Sequence, residues 1–220
     1  MANTNKIVII GGGLAGCEAA YQISKFDINV ELYEMRPKIK TEAHQTKYLA
    51  ELVCSNSFRS DDKEYNAVGV LHEELRIADS LIMKTADHNT VPAGTALAVD
   101  RDNFSKEVNK TIKSIPNINI INQEVRSLDE FKNQIIIVST GPLTSKTLTD
   151  SIKIKTSENS LAFYDAIAPI VYEETINMSV AWKQSRYDKG YGDDYINCPL
   201  SKEEYYQFIE KIKKAPKMEF

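Results

Sequence analysis

A cluster of closely spaced glycines is the first feature of the chain that could do chemistry. Four of its nine glycines fall between positions 11 and 16, with the spacing Gly-x-Gly-x-x-Gly between an apolar β-branched run and a helix-forming run. Such a first glycine makes a tight turn, the second lets the backbone approach a pyrophosphate, and the third lets the helix pack on the strand. The helix amides then attract phosphate oxygens. The predicted dinucleotide-binding residues are Gly11, Gly12, Gly13, Leu14, Ala15 and Gly16.

An acidic residue follows the next apolar run and would complete this site. Glu34 comes directly after the predicted strand 29–33, where a carboxylate can accept hydrogen bonds from ribose hydroxyls. This favours FAD or NAD over NADP, although Arg36, two residues on, leaves NADP open. A later strand ends in Thr140 and Gly141, a turn typical of flavoproteins with two dinucleotide-binding domains, which slightly favours FAD. A glycine-rich turn that only packs a helix on a sheet is the alternative.

Cys54 is the side chain best suited to covalent chemistry. It lies in a polar segment, residues 51–57, and the local sequence is equally compatible with a reactive accessible thiol and with a small buried side chain. Cys17 falls on the packing side of the first predicted helix and is expected in the core, and Cys198 is expected to be structural. Because the cysteines are widely spaced and no Cys-x-x-Cys pair exists, the sequence predicts neither disulfides nor a metal site.

Other polar residues have weaker signals. His44 is a base, a stacking partner or, as the sequence favours, a surface histidine. Arg101, at the start of a predicted helix, could reach an anion. Arg186, Tyr187 and Lys189 lie in a loop whose mixture of charge and aromatic character suits a ligand with rings and carboxylates, but solvated loops have the same composition.

Composition limits the class of protein to which the chain can belong, but it does not identify a binding partner. The chain has 220 residues, 42% of them hydrophobic, and a formal net charge of −4, so no overall positive charge draws it to nucleic acid. No apolar run approaches the roughly 18 residues of a membrane-spanning helix. The first residues lack the apolar core of a signal peptide. The sequence therefore predicts a globular, cytoplasmic protein without a membrane segment.

Periodicity predicts the elements that would position these residues. The expected strands are 6–10, 29–33, 118–121 and 135–138. The expected helices are 14–26, a single helix through 68–82 capped by Asn66, and one from Phe104 to Ile115 capped by Asp102. A last helix is expected to begin at the Ser201–Glu204 capping box and to pack through Tyr205, Phe208, Ile209 and Ile212. Residues 35–66 are expected to be a long loop that either carries function or is disordered. The first strand, helix and second strand form a βαβ unit.

Segments spread over nearly the whole chain resemble the bacterial folate- and FAD-dependent tRNA (uracil-5-)-methyltransferases. The matching segments include IVIIGGGLAGCEAA (7–20), ELVCSNS (51–57), VPAGTALAVDR (91–101), STGPLTS (139–145) and RYDKG (186–190). The resemblance implies an α/β fold: a Rossmann-like FAD-binding domain of the two-dinucleotide-binding flavoprotein type, with an inserted smaller α+β region. It implies an FAD-binding domain over 1–150, with an excursion at about 35–115, and the start of a substrate and folate region over 151–220.

The resemblance also implies an activity and roles for the predicted residues. It implies methylation of uridine C5 in the tRNA T-loop, or in 23S ribosomal RNA, with carbon from methylenetetrahydrofolate and reducing equivalents from FAD that NAD(P)H replenishes. Gly11–Gly16, Glu34, Arg36, Arg101 and Gly141 would bind FAD, and Cys54 would be catalytic. The folate or RNA contacts would be His44, Arg186, Tyr187 and Lys189.

The resemblance further implies a second half, with another reactive cysteine, beyond the segments that match. The chain is therefore expected to be a truncated form whose partner is the missing half or a separate chain, and to transfer no methyl group alone. Two alternatives remain at this point: another FAD- or NAD(P)-dependent oxidoreductase, or a non-catalytic dinucleotide-binding fragment.

Overall fold

The computed structural model describes residues 6–41, 43–157, 171–185 and 193–216. The chain divides into two compact units, one formed by Met1–Val91 and Ala96–Ala168 and the other by Pro92–Thr95 and Pro169–Phe220. Its described strands are β1 (Lys6–Ile10), β2 (Asn29–Tyr33), β3 (Ser57–Ser60), β4 (Thr90–Val91), β5 (Ala96–Val99), β6 (Ile118–Ile121), β7 (Ile135–Val138), β8 (Trp182–Lys183) and β9 (Ile196–Asn197). Its described helices are α1 (Leu14–Ser24), α2 (Ala67–Ile77), α3 (Leu81–His88), α4 (Arg101–Ser114), α5 (Lys146–Thr156) and α6 (Lys202–Lys214).

A four-stranded parallel sheet forms the centre of the first unit, in the order β6–β2–β1–β7. Its strands are the four that the sequence predicts. Ile10, at the end of β1, is in register with Tyr33 at the end of β2 and with Val138 at the end of β7. The carboxyl ends of these strands therefore meet at one edge, which is where ligands bind in open α/β sheets.

Apolar side chains pack on both faces of this sheet around β1, while Ile135 and Val138 of the edge strand β7 are exposed. Val8 and Ile10 point to one face and pack with Phe131 and Leu148. Ile9 points to the other face and belongs to the larger core, which α1, α3 and α4 complete with Cys17, Met83, Phe104, Val108 and Ile112. The predicted core position of Cys17 is confirmed, since its side chain is fully buried.

The helix predicted through residues 68–82 is instead two helices, α2 and α3. Asn66 caps α2 as predicted, accepting a hydrogen bond from the Val68 amide. The chain then turns at Asp79, whose φ of 55° is left-handed, and Ser80 begins α3 by accepting from the Met83 amide. The apolar spacing continues across the turn, so periodicity alone does not reveal the break.

Two further departures concern local structure. The cap of α4 is Asp100, whose carboxylate accepts from the Asn103 amide, and not Asp102. The stretch predicted as a loop contains β3, which joins β5 and β4 in a small antiparallel sheet. Together with α2 and α3, this sheet forms a smaller α+β region beside the parallel sheet, in agreement with the fold class implied by the resemblance.

The second unit contains the β8–β9 hairpin and α6. The predicted capping box is confirmed, with Ser201 and Glu204 each bonded to the other's backbone. The predicted packing of α6 through its apolar face is wrong within the described residues, because Tyr205, Phe208 and Ile212 are each more than half exposed. None of the described helices is long and apolar enough to cross a membrane.

Candidate functional site

The glycine loop connects β1 to α1 at the carboxyl edge of the parallel sheet. Gly11 has a φ of +106°, which favours glycine, and its amide donates to the Tyr33 carbonyl at 2.8 Å. A Cβ at Gly16 would lie 1.8 Å from the Gly11 carbonyl oxygen, so α1 can pack against the loop only with glycine there. These two positions thus have the roles that the spacing predicts for the first and third glycines.

Gly13 differs from both, because a Cβ there would meet no protein atom within 4 Å. It is the N-cap residue of α1, and no side chain caps this helix end or places an acid in its first turn. The first amides of α1, including those of Leu14 and Ala15, therefore keep the unpaired donors and partial positive charge that attract an anion. Free space beside Gly13 lets an anion come close to them.

These residues line a cleft of about 300 Å³ at the carboxyl edge of the sheet. The glycine loop and the ends of β2 and β7 form much of its wall, and Gly141 contributes with a φ of 60°. Val125 and Leu148 add apolar surface. The cleft combines a helix N-terminus, an apolar wall and a carboxylate, as a nucleotide site requires.

Glu34 points into this region and is held by four donors. Its Oε2 accepts from the Gly12 amide at 3.0 Å and from Arg36 Nη2 at 3.1 Å, and its Oε1 accepts from the Arg36 amide at 3.0 Å and from Arg36 Nε at 2.9 Å. Burial alone would raise the pKa of Glu34, but the bonds from Arg36 and Gly12 outweigh it and lower this pKa. Glu34 is therefore ionised at neutral pH.

Arg36 connects Glu34 to a second buried carboxylate, which the sequence did not single out. Its guanidinium is only 1% exposed, and Nη1 donates to Glu51 at 2.9 Å. The Glu51 carboxylate also accepts from the amides of Gln45 and Thr46 and from the Thr46 hydroxyl. Glu51 lies in a polar segment fifteen residues from Arg36, so no local pattern in the sequence predicts this pairing.

His44, seven residues before Glu51 in the chain, also lines the cleft, although the sequence favours a surface histidine. Its Nδ1 lies 2.6 Å from the Thr41 hydroxyl. Burial and the nearby charge of Arg36 lower the pKa of His44, because both oppose the imidazolium form. His44 is therefore a neutral ring at pH 7 that can donate or accept a hydrogen bond.

Cys54 is exposed, in agreement with an accessible thiol, whereas burial raises the pKa of Cys17 to about 12 and keeps that thiol protonated. Arg101 Nη2 donates to the Cys54 carbonyl at 3.5 Å, a long bond. Neighbouring Val53 lines the cleft, but Cys54 and Arg101 do not. The structure therefore brings Cys54 and Arg101 together next to Val53, at the margin of the cleft. Cys198 is also exposed, contrary to the expectation of a structural role.

Arg186, Tyr187 and Lys189 lie outside the described residues. Among the residues that the structure does describe, no three His, Cys, Asp or Glu side chains come together in a way that could hold a metal ion.

Comparison with known proteins identifies the family to which the chain belongs. The family described as glucose inhibited division protein A matches residues 6–220. A Bartonella henselae protein named methylenetetrahydrofolate–tRNA-(uracil-5-)-methyltransferase TrmFO is 57% identical over 97% of this chain and 46% of its own length. Proteins of the same name from Paramagnetospirillum magneticum and a Ruegeria species are 54% and 52% identical over 99% of this chain.

The chain spans about half the length of these curated relatives: 46% to 49% of each is covered. The match to the family nevertheless extends over the glycine loop, the cleft and the second unit. On this evidence the chain belongs to the glucose inhibited division protein A family.

Proposed function

We propose that this chain forms the FAD-binding part of an enzyme that methylates C5 of a uridine in tRNA, with methylenetetrahydrofolate as the carbon donor. One observation carries the proposal: the glycine loop, the uncapped start of α1 and Glu34 converge on one cleft, in a chain 57% identical to a protein named for this activity.

The residues of the cleft fit the adenosine and pyrophosphate part of FAD. The open space beside Gly13 would let a pyrophosphate reach the amides of Leu14 and Ala15. Glu34, ionised and adjacent to the glycine loop, would accept from the ribose hydroxyls. Gly141, with open space at its Cα, would let the cofactor pass close to the backbone at the end of β7. These residues would hold FAD, which, when bound and reduced by NAD(P)H, would supply the hydride that converts the transferred methylene group to methyl.

Cys54 is the proposed catalytic residue. Uracil C5 becomes a good nucleophile only when a thiolate adds at C6, and the described residues contain an exposed thiol at Cys54 beside the cleft. After C5 bonds to the donated methylene carbon, loss of the C5 proton and cleavage of the bond from that carbon to the tetrahydrofolate nitrogen would leave an exocyclic methylene group. Addition of a hydride to this methylene group would expel the Cys54 thiolate and restore the pyrimidine ring with a methyl group on C5. Arg101, at the Cys54 carbonyl, would hold this segment or an anionic group of the cofactor or RNA.

His44, Arg186, Tyr187 and Lys189 are proposed as contacts to folate or RNA. His44 supports this assignment best, because its neutral ring lines the cleft and can donate or accept a hydrogen bond. The positive charges of Arg186 and Lys189 would complement the carboxylates of a folate or the phosphates of RNA.

The activity can be tested in a chimera, because the chain covers 46% of the Bartonella henselae relative. In it, this chain replaces the matching stretch of that relative. The chimera is assayed with methylenetetrahydrofolate, FAD, NADPH and either an unmodified tRNA or a 23S ribosomal RNA fragment. We expect C5-methyluridine in the tRNA and its loss on Cys54→Ala, with Cys198→Ala as the matched control because Cys198 is also an exposed thiol.

A fully active Cys54→Ala chimera would refute the catalytic assignment. Methylation confined to the ribosomal RNA fragment would move the target from tRNA to ribosomal RNA. Flavin-dependent oxidation of NADPH without any methylation would favour a different oxidoreductase.

A further inference from the structure

We propose that Glu51, acting through Arg36, makes the ribose end of the cleft reject a 2′-phosphate. The cleft then admits adenosine nucleotides with a free 2′-hydroxyl, the chemical class to which FAD belongs, and excludes the NADP class. This inference rests on the proposed dinucleotide-binding function and names the residue that sets its selectivity.

Arg36 occupies a position from which an arginine could receive a 2′-phosphate. It follows the ribose-binding acid Glu34 by two residues and lines the cleft. A guanidinium binds phosphate through paired hydrogen bonds, and an arginine near the end of the second strand accommodates the 2′-phosphate in NADP-binding folds. The sequence alone therefore leaves NADP open as a ligand.

The structure shows that this guanidinium is already occupied on both sides. Nε and Nη2 donate to Glu34 at 2.9 and 3.1 Å, and Nη1 donates to Glu51 at 2.9 Å. Because the side chain is almost completely buried, a phosphate could form paired hydrogen bonds with Arg36 only by displacing one of these carboxylates, which would then be buried without its partner.

The charges of the three side chains point to the same selectivity. Two buried carboxylates surround one guanidinium, so the group has a net charge of −1 beside the expected ribose. A 2′-phosphate would bring further negative charge next to Glu34 and be repelled, whereas a hydroxyl can donate to the same carboxylate. Glu51 supplies the charge that turns a neutral pair into a negative group.

Glu51 is also fixed in place, so it cannot follow Arg36 toward a ligand. Its carboxylate accepts from the amides of Gln45 and Thr46 and from the Thr46 hydroxyl, and its side chain is only 9% exposed. Arg36 is thereby tied to a rigid acceptor on a different segment of the chain. Removing the Glu51 charge would release Nη1 and bring the group to neutrality.

The test compares two probes that differ only in the 2′-phosphate, ADP-ribose and 2′-phospho-ADP-ribose, by calorimetric titration of the folded chain. We expect the wild type to bind ADP-ribose at least about a hundredfold more tightly, and Glu51→Gln to reduce this ratio about tenfold, since juxtaposed like charges are discriminated on this scale. Glu31→Gln is the matched control: it removes the same charge from β2, where Glu31 pairs with Lys6 at 3.0 Å outside the cleft.

Equal binding of the two probes by the wild type would overturn the proposal. It would also be overturned if the ratio of the affinities for ADP-ribose and 2′-phospho-ADP-ribose were the same in Glu51→Gln as in the wild type and Glu31→Gln. The wild-type comparison needs no variant, so equal binding of the two probes overturns the proposal even if Glu51→Gln fails to fold. If the folded wild type binds neither probe, the proposed dinucleotide function is itself contradicted, and the selectivity falls with it. Binding of ADP-ribose without discrimination overturns the selectivity alone.

Discussion

Single residues in the cleft have separable roles, because some maintain the fold and others face open space. Gly16 contacts the loop so closely that a Cβ has no room, whereas Gly13 borders space that no protein atom fills. The spacing of the glycines was enough to predict both, since the roles of a Gly-x-Gly-x-x-Gly loop depend on nearby backbone alone. No local pattern in the sequence indicates the role of Glu51, because its contact with Arg36 joins two segments fifteen residues apart.

Alanine substitutions at Gly13 and Gly16 should separate ligand binding from stability. We expect Gly13→Ala to keep the wild-type melting temperature but to weaken FAD binding at least about tenfold, because its Cβ would take the space for the pyrophosphate. Gly16→Ala should instead lower the free energy of unfolding by about 3 kcal/mol through overpacking. Thermal unfolding and titration with FAD measure the two effects. Unchanged FAD affinity in Gly13→Ala would contradict this division of roles.

The stability of the chain should depend on pH through Glu34. The folded-state pKa of Glu34 is lowered, so its contribution is present above the unfolded value, about 4.3, and is lost as the pH falls through the folded pKa. We expect Glu34→Gln to lower the free energy of unfolding by about 3 kcal/mol at pH 7, the cost of breaking a buried ion pair. Urea unfolding from pH 7 to pH 3 should then show a shallower decline for this variant.

Glu31→Gln serves as the control for that experiment, because Glu31 forms a partly exposed pair with Lys6. It should reproduce the wild-type pH profile closely. Parallel profiles for the wild type and Glu34→Gln would show that Glu34 does not carry this part of the acid dependence.

At the level of elements, the sequence predicted those with strong local signals. Three of the four parallel strands, β1, β6 and β7, consist mostly of Ile and Val, and the caps Asn66 and Ser201 have well-defined side-chain chemistry. The break between α2 and α3 was not predictable, because the turn uses a non-glycine residue, Asp79, in the left-handed conformation. The short strands β3 and β4 depend on pairing with β5 and have little pattern of their own.

Ser80 should be important at that break. Its hydroxyl accepts from the Met83 amide at 3.2 Å and donates to Glu18 at 2.8 Å, which fixes α3 to α1. We expect Ser80→Ala to lower the free energy of unfolding by about 2 kcal/mol, the upper range for loss of a helix cap. The matched control, Ser145→Ala, removes the longer 3.5 Å cap of α5 and should cost about half as much. Equal melting temperatures for the wild type and Ser80→Ala would contradict this role.

At the scale of the whole molecule, one unit carries the described cleft and the other presents exposed aromatic side chains on α6. The parallel sheet follows from the local sequence, because its strands are short segments rich in apolar residues, such as Ile135–Val138. The packing of α6 could not be predicted in the same way: an amphipathic pattern shows which face is apolar but not what covers it. The match to the family extends over both units, while the chain covers about half of each relative.

The central claim is that this chain binds FAD in the cleft formed by the glycine loop, Glu34 and the end of β7. Titration of the purified, folded chain with FAD, followed by flavin fluorescence, tests it most directly. We predict saturation at one FAD per chain and displacement of the flavin by ADP-ribose, because both ligands would use the α1 amides and Glu34. A folded chain that leaves flavin fluorescence unchanged and retains no FAD on gel filtration would contradict the claim.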